Sequence, residues 1–251
     1  VTRRGGPILP PGNVIGEPFG RDTAAVCALA SALVRARNPA ASFCILTADH
    51  IVKNVPRFQR TLREGFRVAM RDDVLLTIGI TPTSPNTGFG YIETSRPLED
   101  RGRVSFFKAR RVVEKPALKT ARRYVKSGRF FWNAGMFIWS LASFRRALGR
   151  HAPQLLKMAD RMEPVAGRPG FNRRLAAEYA KLEKISVDYA LMEKADNIVM
   201  ARGSFQWDDV GSWPALENHF DKDDCGNVRI GDCEMVDAHG NLVVSRGRLT
   251  A

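Results

Sequence analysis

The sequence predicts an α/β fold with a mostly parallel central sheet, followed by the start of a small β-rich segment. Two observations carry this. Stretches of helical period alternate with short apolar runs, Ala24–Arg37, Ser42–Thr47, Phe58–Met70 and Val74–Gly79 in turn, which is the pattern of βαβ units. The run Ser42-Phe43-Cys44-Ile45-Leu46 also stops at Thr47-Ala48-Asp49-His50, as a strand buried on both faces does where it leaves a sheet. Ligands of open α/β sheets collect beyond the carboxyl ends of the strands. Asp49 and His50 are therefore placed where a nucleotide or a metal would lie. An isolated loop Asp more often bonds its own turn, so the later stretches decide.

Residues 1–13 are Pro/Gly-rich and read as irregular. Ala24–Arg37 reads as a largely buried helix with Asp22 or Thr23 as N-cap and Asn38-Pro39 as its stop. In the next helix Phe58, Leu62, Phe66 and Ala69-Met70 share one face, and Arg57, Arg60, Arg63 and Arg67 the other. Thr81–Tyr91 carries Pro82, Pro85, Gly88 and Gly90, a long loop of the kind that often serves function. Tyr91–Glu93, Val104–Lys108 and Arg111–Glu114 read as strands and Leu118–Ser127 as a basic amphipathic helix. Phe130–Trp139 is aromatic-rich and interrupted at Asn133-Ala134-Gly135. Leu141–Gly149, Pro153–Met162 and Phe171–Lys184 read as peripheral helices, Ile198–Ala201 as a strand and Trp207–Trp213 as an irregular acidic-aromatic loop. Short alternating runs from Gly226 onward suggest β structure. Two domains are expected, 1–220 and 221–251.

The composition is globular, with 44% hydrophobic and 26% charged residues. No apolar run approaches the length needed to cross a bilayer; Ala134–Leu141 is the nearest and is much too short. The start has no apolar signal core, so a cytoplasmic protein with no membrane partner is expected. Cys27, Cys44, Cys225 and Cys233 show no CxxC spacing and read as free thiols. The net charge of +13 comes from 29 Arg and 10 Lys against 26 acidic residues. The cations are scattered in pairs such as Arg110-Arg111 and Arg122-Arg123, without a nucleic-acid-binding signature. A surface suited to phosphorylated substrates is the better account than nucleic acid.

Several short stretches offer chemistry. Asp49 and the pair Asp208-Asp209 could form a magnesium site, since that ion takes one or two protein carboxylates and fills its shell with phosphates and water. Asp208-Asp209 could equally cap a helix starting near Ser212. Glu17, before Pro18, could accept from both guanine N1–H and its exocyclic amine, or be a surface acid before a turn. Glu114-Lys115-Pro116 sets a carboxylate for a sugar hydroxyl beside an ammonium for a phosphate, although such dipeptides are commonly plain ion pairs. Asn133, among aromatics, suits a sugar hydroxyl, and Thr87-Gly88-Phe89-Gly90 lets the backbone approach a ligand closely.

Taken together, the blocks E-P-x-G-R-D-T-A, A-D-H, G-I-x-P-x-x-P-x-T-G-F-G-Y-I, E-K-P, W-N-A-G-M-F, I-S-x-D-Y-A-L-M-E-K and W-D-D-V-G-S-W, running from about Val14 to Trp213, resemble the mannose-1-phosphate guanylyltransferases, or GDP-mannose pyrophosphorylases. The resemblance implies a Rossmann-like nucleotidyltransferase domain that transfers GMP from GTP to mannose 1-phosphate and releases pyrophosphate with magnesium. It implies Asp49 and Asp209 as magnesium ligands, and these two with Lys115 as the catalytic residues. Glu17 would read guanine, Arg21 and Thr23 would shape the same pocket, and Asp49 would serve the nucleotide as well. Gly90, Glu114 and Asn133 would hold the mannose and Lys115 its phosphate. Ser186, Asp188, Tyr189 and Glu193 match the family's block but are expected to pack. Homo-oligomerisation is left open.

The sequence departs from the family's pattern in places. The opening strand and Gly-rich loop (G-G-x-G-x-R-L-x-P-L-S) have no counterpart; Arg4-Gly5-Gly6-Pro7 is too short. An empty central position in the sheet is the expected result. The family's C-terminal β-rich segment is cut after Gly247. Thr47 replaces a usual Pro, and Asp22 stands where many members have Asn, a repulsive choice near a triphosphate unless it caps the helix.

Overall fold

Helix α1 (Thr23–Arg37) begins where Asp22 Oδ1 accepts from the Thr23 N–H at 2.7 Å, and it ends at Asn38 ahead of Pro39. The capping role expected of Asp22 is therefore met. The computed structural model describes residues 9–101, 104–245 and 247. The first eight positions of the stretch read as irregular, Arg4-Gly5-Gly6-Pro7 among them, lie outside the described residues. After α1 come β1 (Ser42–Ile45), β2 (Ile51–Lys53), α2 (Val55–Arg71), β3 (Leu75–Ile80) and a hairpin of β4 (Gly90–Arg101) and β5 (Val104–Val113). Then follow α3 (Leu118–Ser127), closed by left-handed Gly128 at φ 66°, β6 (Phe130–Ser140) and α4 (Leu141–His151). Next are α5 (Pro153–Met162), α6 (Phe171–Tyr179), a π-helical turn over Asp188–Met192, and β7 (Ile198–Gly203). β8 (Gln206–Asp208), α7 (Trp213–Leu216), β9 (Val228–Ile230) and β10 (Leu242–Val244) complete the chain.

Three local readings change. The three strands expected between 91 and 114 are two long ones paired antiparallel from Tyr91↔Val113 to Arg101↔Val104. β6 runs through Asn133-Ala134-Gly135 without a break. Gly135 takes φ 64° within the strand, and the register against β3 shifts between Thr77 and Gly79, so the interruption is a bulge. α6 stops at Tyr179, well short of Lys184.

The sheet runs β1-β6-β3-β7-β5-β4, and it corrects the expected topology. Among the described residues only β3–β7 is parallel in this sheet; β1–β6, β3–β6, β4–β5, β4–β6 and β5–β7 are antiparallel. β6 wedges between β1 and β3, which the helix–strand alternation would have made neighbours. The reason is visible in the burial. Leu75, Phe137, Trp139, Ile198 and Met200 feed the core under α1, α4, α5 and α6. Leu76, Ile138, Val199 and Ala201 feed the core under α2. Alternate residues thus go to opposite layers, and a strand covered on both faces is a continuous apolar run whichever way it points. The α/β class stands; strand direction was not encoded in hydrophobicity. Among the described residues the six strands follow one another without a gap and the sheet ends at β1, so the expected empty central position is not found.

Trp139 anchors the larger core. It is fully buried, stacked on Phe144 at 4.5 Å and edge-on to Phe43 at 5.8 Å. Removing such a ring typically costs about 3–5 kcal/mol.

The chain divides into two compact units. One runs up to Thr47 and resumes over Val55–Ser204; the other joins Ala48–Asn54 to the chain from Phe205 onward. This division differs from the 1–220 and 221–251 partition, because β2 pairs with β8 and draws Ala48–Asn54 into the second unit. The second unit also holds the short parallel pair β9–β10, the small β structure expected near the end. No helix among the described residues is long and apolar enough to cross a membrane.

Candidate functional site

In the first unit, four segments distant in sequence meet around Gly90. Gly90 opens β4 and is paired with Asn133 in β6; Glu114 directly follows β5. A Cβ placed on Gly90 would collide with Glu114 Oε2 and would lie 3.6 Å from Asn133 Nδ2. A side chain at position 90 would have to push the Glu114 carboxylate aside. Asn133 is almost fully buried, and Thr77, buried in β3, donates its hydroxyl to Asn133 Oδ1 at 2.9 Å. Asn133 Nδ2 in turn donates to Asp188 Oδ1 at 2.7 Å. The backbone N–H of Glu114 donates to Glu193 Oε1 at 2.9 Å.

The chemistry of this cluster is acidic and partly desolvated. Burial, with the charges of Asp188 and Glu193, pushes the Glu114 carboxyl up to about 7, against the pull of Lys115. Burial also raises Asp188, against the hydrogen bond from Asn133. Lys115 lies 3.7 Å from Glu114 and is well exposed. Its backbone is left-handed at φ 44°, although a residue before proline favours extended backbone. Asp188 and Glu193 were expected to pack; instead they bracket this pocket from the two ends of one π-turn. A pair of carboxylates five positions apart was the available signal, but a helical turn would have separated them, and the turn type is not legible in sequence.

The predicted nucleotide residues lie at the start of α1. Glu17 is exposed, and its carboxylate lies beside the hydroxyl of fully buried Tyr179, which makes no hydrogen bond of normal geometry. Burial first, and Glu17 second, push that phenol well above its usual range. Arg21 donates from Nε to the Tyr179 carbonyl at 3.0 Å and stacks on Phe19 at 4.9 Å. Thr23 Oγ1 accepts from the Val187 N–H at 2.9 Å. Arg21 and Thr23 therefore bind this segment to residues 179–187, next to Asp188, while Glu17 keeps its exposed carboxylate.

In the second unit, β2 and β8 pair Ile51 with Asp208, which brings Asp49 and Asp209 to the same end of the ribbon. Both charges act on His50, which burial holds below its ordinary value; its Nδ1 accepts from Trp207 Nε1 at 3.0 Å. Asp208 is committed: Oδ1 takes the Val210 N–H at 2.8 Å and Oδ2 lies 2.9 Å from His219 Nε2. Asp209 Oδ1 accepts from the Gly211 N–H at 3.2 Å. The two acids bond their own turn, not the first turn of α7. Val210, a β-branched residue, is held at φ 49° between them and Gly211. Among the described residues no cluster of three or more His, Cys, Asp or Glu forms a ready metal cage. Exposed Asp49 and half-buried Asp209, at the same end of the ribbon, instead offer two carboxylates, a donor set that fits an ion completed by substrate and water.

Asp22 at φ 64°, Lys115 and Val210 are three of the five left-handed non-glycine residues among the described ones. Such backbone persists where its surroundings force it, often at functional sites. All three adjoin residues singled out by sequence.

The nucleotidyl transferase family model matches residues 11–224. The chain belongs to the nucleotidyl transferase family. This nucleotidyl transferase is 31% identical over 242 residues to a mannose-1-phosphate guanylyltransferase of Escherichia coli, covering 95% of the chain and 52% of that relative. It is 36% identical over 224 residues to one of Salmonella montevideo, covering 88% and 47%. The chain thus spans about half the length of the curated relatives it matches. A solved structure named mannose-1-phosphate geranyltransferase, from Thermus thermophilus, superimposes with a TM-score of 0.76 at 31% identity, covering 94% of this chain and 68% of that one. The nucleotidyl transferase assignment agrees with the α/β architecture and with the motif order.

Proposed function

We propose that the chain transfers GMP from GTP to mannose 1-phosphate, giving GDP-mannose and pyrophosphate. The observation that carries this is the convergence of Glu114 and Asn133 on Gly90, where the Glu114 carboxylate packs against a backbone that carries no side chain. A carboxylate acceptor and an amide donor thus flank one glycine, the pair of groups a sugar hydroxyl can bridge, in a chain whose relatives bear the names given above.

Lys115 holds the sugar phosphate as a point charge. Glu17 reads the guanine through its exposed carboxylate, and Arg21 and Thr23 fix the segment that presents it. Asp49 and Asp209 would hold magnesium, and Asp49 would also serve the nucleotide. Magnesium, when bound, neutralises phosphate charge. An oxygen of the sugar phosphate attacks the α-phosphorus; that P–O bond forms as the bond to the leaving pyrophosphate breaks. No strong base is needed, because the nucleophile is already an anion, and positioning supplies most of the rate. The reading retains the cytoplasmic setting expected from the sequence.

The test is pyrophosphate release with magnesium, mannose 1-phosphate and a panel of nucleoside triphosphates. Release with GTP above ATP, UTP and CTP is the expected result. Preference for another base removes Glu17 from its role. A folded chain that binds mannose 1-phosphate but no triphosphate would leave a sugar-phosphate-binding module in place of an enzyme.

A further inference from the structure

We propose that Asp188 is a positioning residue for the sugar: it fixes the polarity of the Asn133 amide, so that an N–H and not the carbonyl oxygen faces the sugar beside Glu114. This rests on the reading of the Gly90 pocket as the sugar site and extends it to a residue that need not touch substrate.

An ionised carboxylate has acceptors only, while an amide offers a donor end and an acceptor end. Asp188 Oδ1 takes Asn133 Nδ2 at 2.7 Å. On the opposite side Thr77 donates to Oδ1 at 2.9 Å, and the Gly135 N–H approaches it at 3.4 Å. Turning the amide over would set its oxygen against a carboxylate and its NH₂ against the Gly135 N–H; Thr77 could adapt by donating to the Met136 carbonyl at 3.3 Å, so it is Asp188 that fixes the polarity. Thr77 is fully buried and Asn133 nearly so, so little water is at hand to repair those losses. Nδ2 has two hydrogens. Asp188 uses one, and the other is left for the Gly90 side, where Nδ2 is 3.6 Å from the position a Cβ would take and Glu114 Oε2 is closer still. One donor and one acceptor thus flank Gly90 together. A sugar hydroxyl satisfies both at once, donating to Glu114 and accepting from Asn133.

The backbone around Asp188 supports the assignment independently. Its carbonyl accepts from the Glu193 N–H at 2.9 Å, closing a π-turn; such turns are rare and concentrate at functional sites. The turn grips both walls of the pocket, Asn133 through the Asp188 side chain and the Glu114 N–H through the Glu193 side chain. The charged groups that act on Glu114 are Asp188 and Glu193, which raise its pKa, and Lys115, which lowers it.

Three proteins test this: the unaltered chain, Asp188→Ala and Asp188→Asn. Mannose 1-phosphate and GTP affinities are measured by calorimetry from pH 6 to 8, and the Asn133 side-chain NH₂ pair is followed by ¹⁵N NMR. Asp188→Ala should shift that NH₂ pair and weaken the sugar phosphate by about tenfold or more, with GTP unchanged. Asp188→Asn keeps an acceptor oxygen and should restore most of the affinity at pH 8. With one negative charge gone, its Glu114-dependent limb should move to lower pH. A 2-, 3- or 4-deoxyfluoro sugar phosphate that cannot donate to Glu114 should lose the discrimination between the unaltered chain and Asp188→Ala. If Asp188→Ala binds mannose 1-phosphate as well as the unaltered chain, or weakens both ligands alike while Asp188→Asn rescues neither affinity nor pH profile, the positioning role is overturned. An unaltered chain that ignores mannose 1-phosphate overturns the sugar-site reading itself.

Discussion

The amide of Asn133 is held on one side by Thr77 and on the other by Asp188, whereas Asp209 has one turn bond from Gly211 and Asp49 stands exposed. The first region spends buried hydrogen bonds on a fixed arrangement before any ligand arrives. The second leaves carboxylate oxygens uncommitted at the end of a three-residue ribbon. A neutral sugar must be recognised by shape and by the direction of its hydroxyls, so its pocket gains from rigidity. An ion with water in its shell needs charge more than a rigid frame. On the proposed function, a sugar on the first side and a metal ion on the second would account for the contrast.

The largest expected effect lies on the open side. Asp209→Asn should lower magnesium-dependent pyrophosphate release by roughly 100-fold or more, the few kcal/mol a metal clamp supplies, with the thermal midpoint unchanged. Full activity would remove Asp209 from the metal site and leave the comparison with one half. On the rigid side, Gly90→Ala forces the Glu114 carboxylate aside and should raise the KM for mannose 1-phosphate about tenfold, a step of about 1.4 kcal/mol. If the KM for GTP rises equally, the pocket is not sugar-specific.

A third prediction uses pH. Glu114 is raised from its ordinary 4.5 to about 7, so its neutral form is the one the fold favours. That contribution to stability is full below 4.5 and is lost as pH rises through about 7. Ligand binding should run the other way, strengthening from pH 6 to 8 as the carboxylate forms. Glu114→Gln should flatten the stability profile and remove the binding limb that belongs to Glu114; unchanged profiles would assign the titration elsewhere. The smallest effect is expected at Thr23→Val, which deletes the bond to the Val187 N–H at about 1 kcal/mol of stability. A large loss of GTP affinity without a change in midpoint would make Thr23 a ligand contact.

Much of the architecture was legible because it follows local rules. α1 starts at an Asp cap and stops before Pro39, and α3 spans Leu118–Ser127 as its apolar spacing dictates. Strand direction was not legible, since Leu75–Ile80 is buried throughout and reads alike in parallel and antiparallel company. Of the residues singled out by sequence, Gly90, Glu114 and Asn133 do meet in space. Asp188 and Glu193 were set aside as packing because their relation depends on one π-turn, a backbone choice that side-chain periodicity does not report. Arg21 and Thr23 were identified, and the structure shows each spending its polar atoms on the chain itself.

The left-handed backbone at Lys115 and Val210 also sets a conflict for selection. A non-glycine residue held in that region costs on the order of 1–3 kcal/mol, of which the greater backbone freedom that glycine loses on folding would take back only about 0.5–1 kcal/mol. A screen for heat resistance alone should therefore enrich Lys115→Gly and Val210→Gly. The first would gain stability by discarding the ammonium group offered to the sugar phosphate; the second discards no charge. Selection for turnover should purge the first and tolerate the second, so one directed-evolution experiment under two pressures would separate strain that serves chemistry from strain that only shapes a turn.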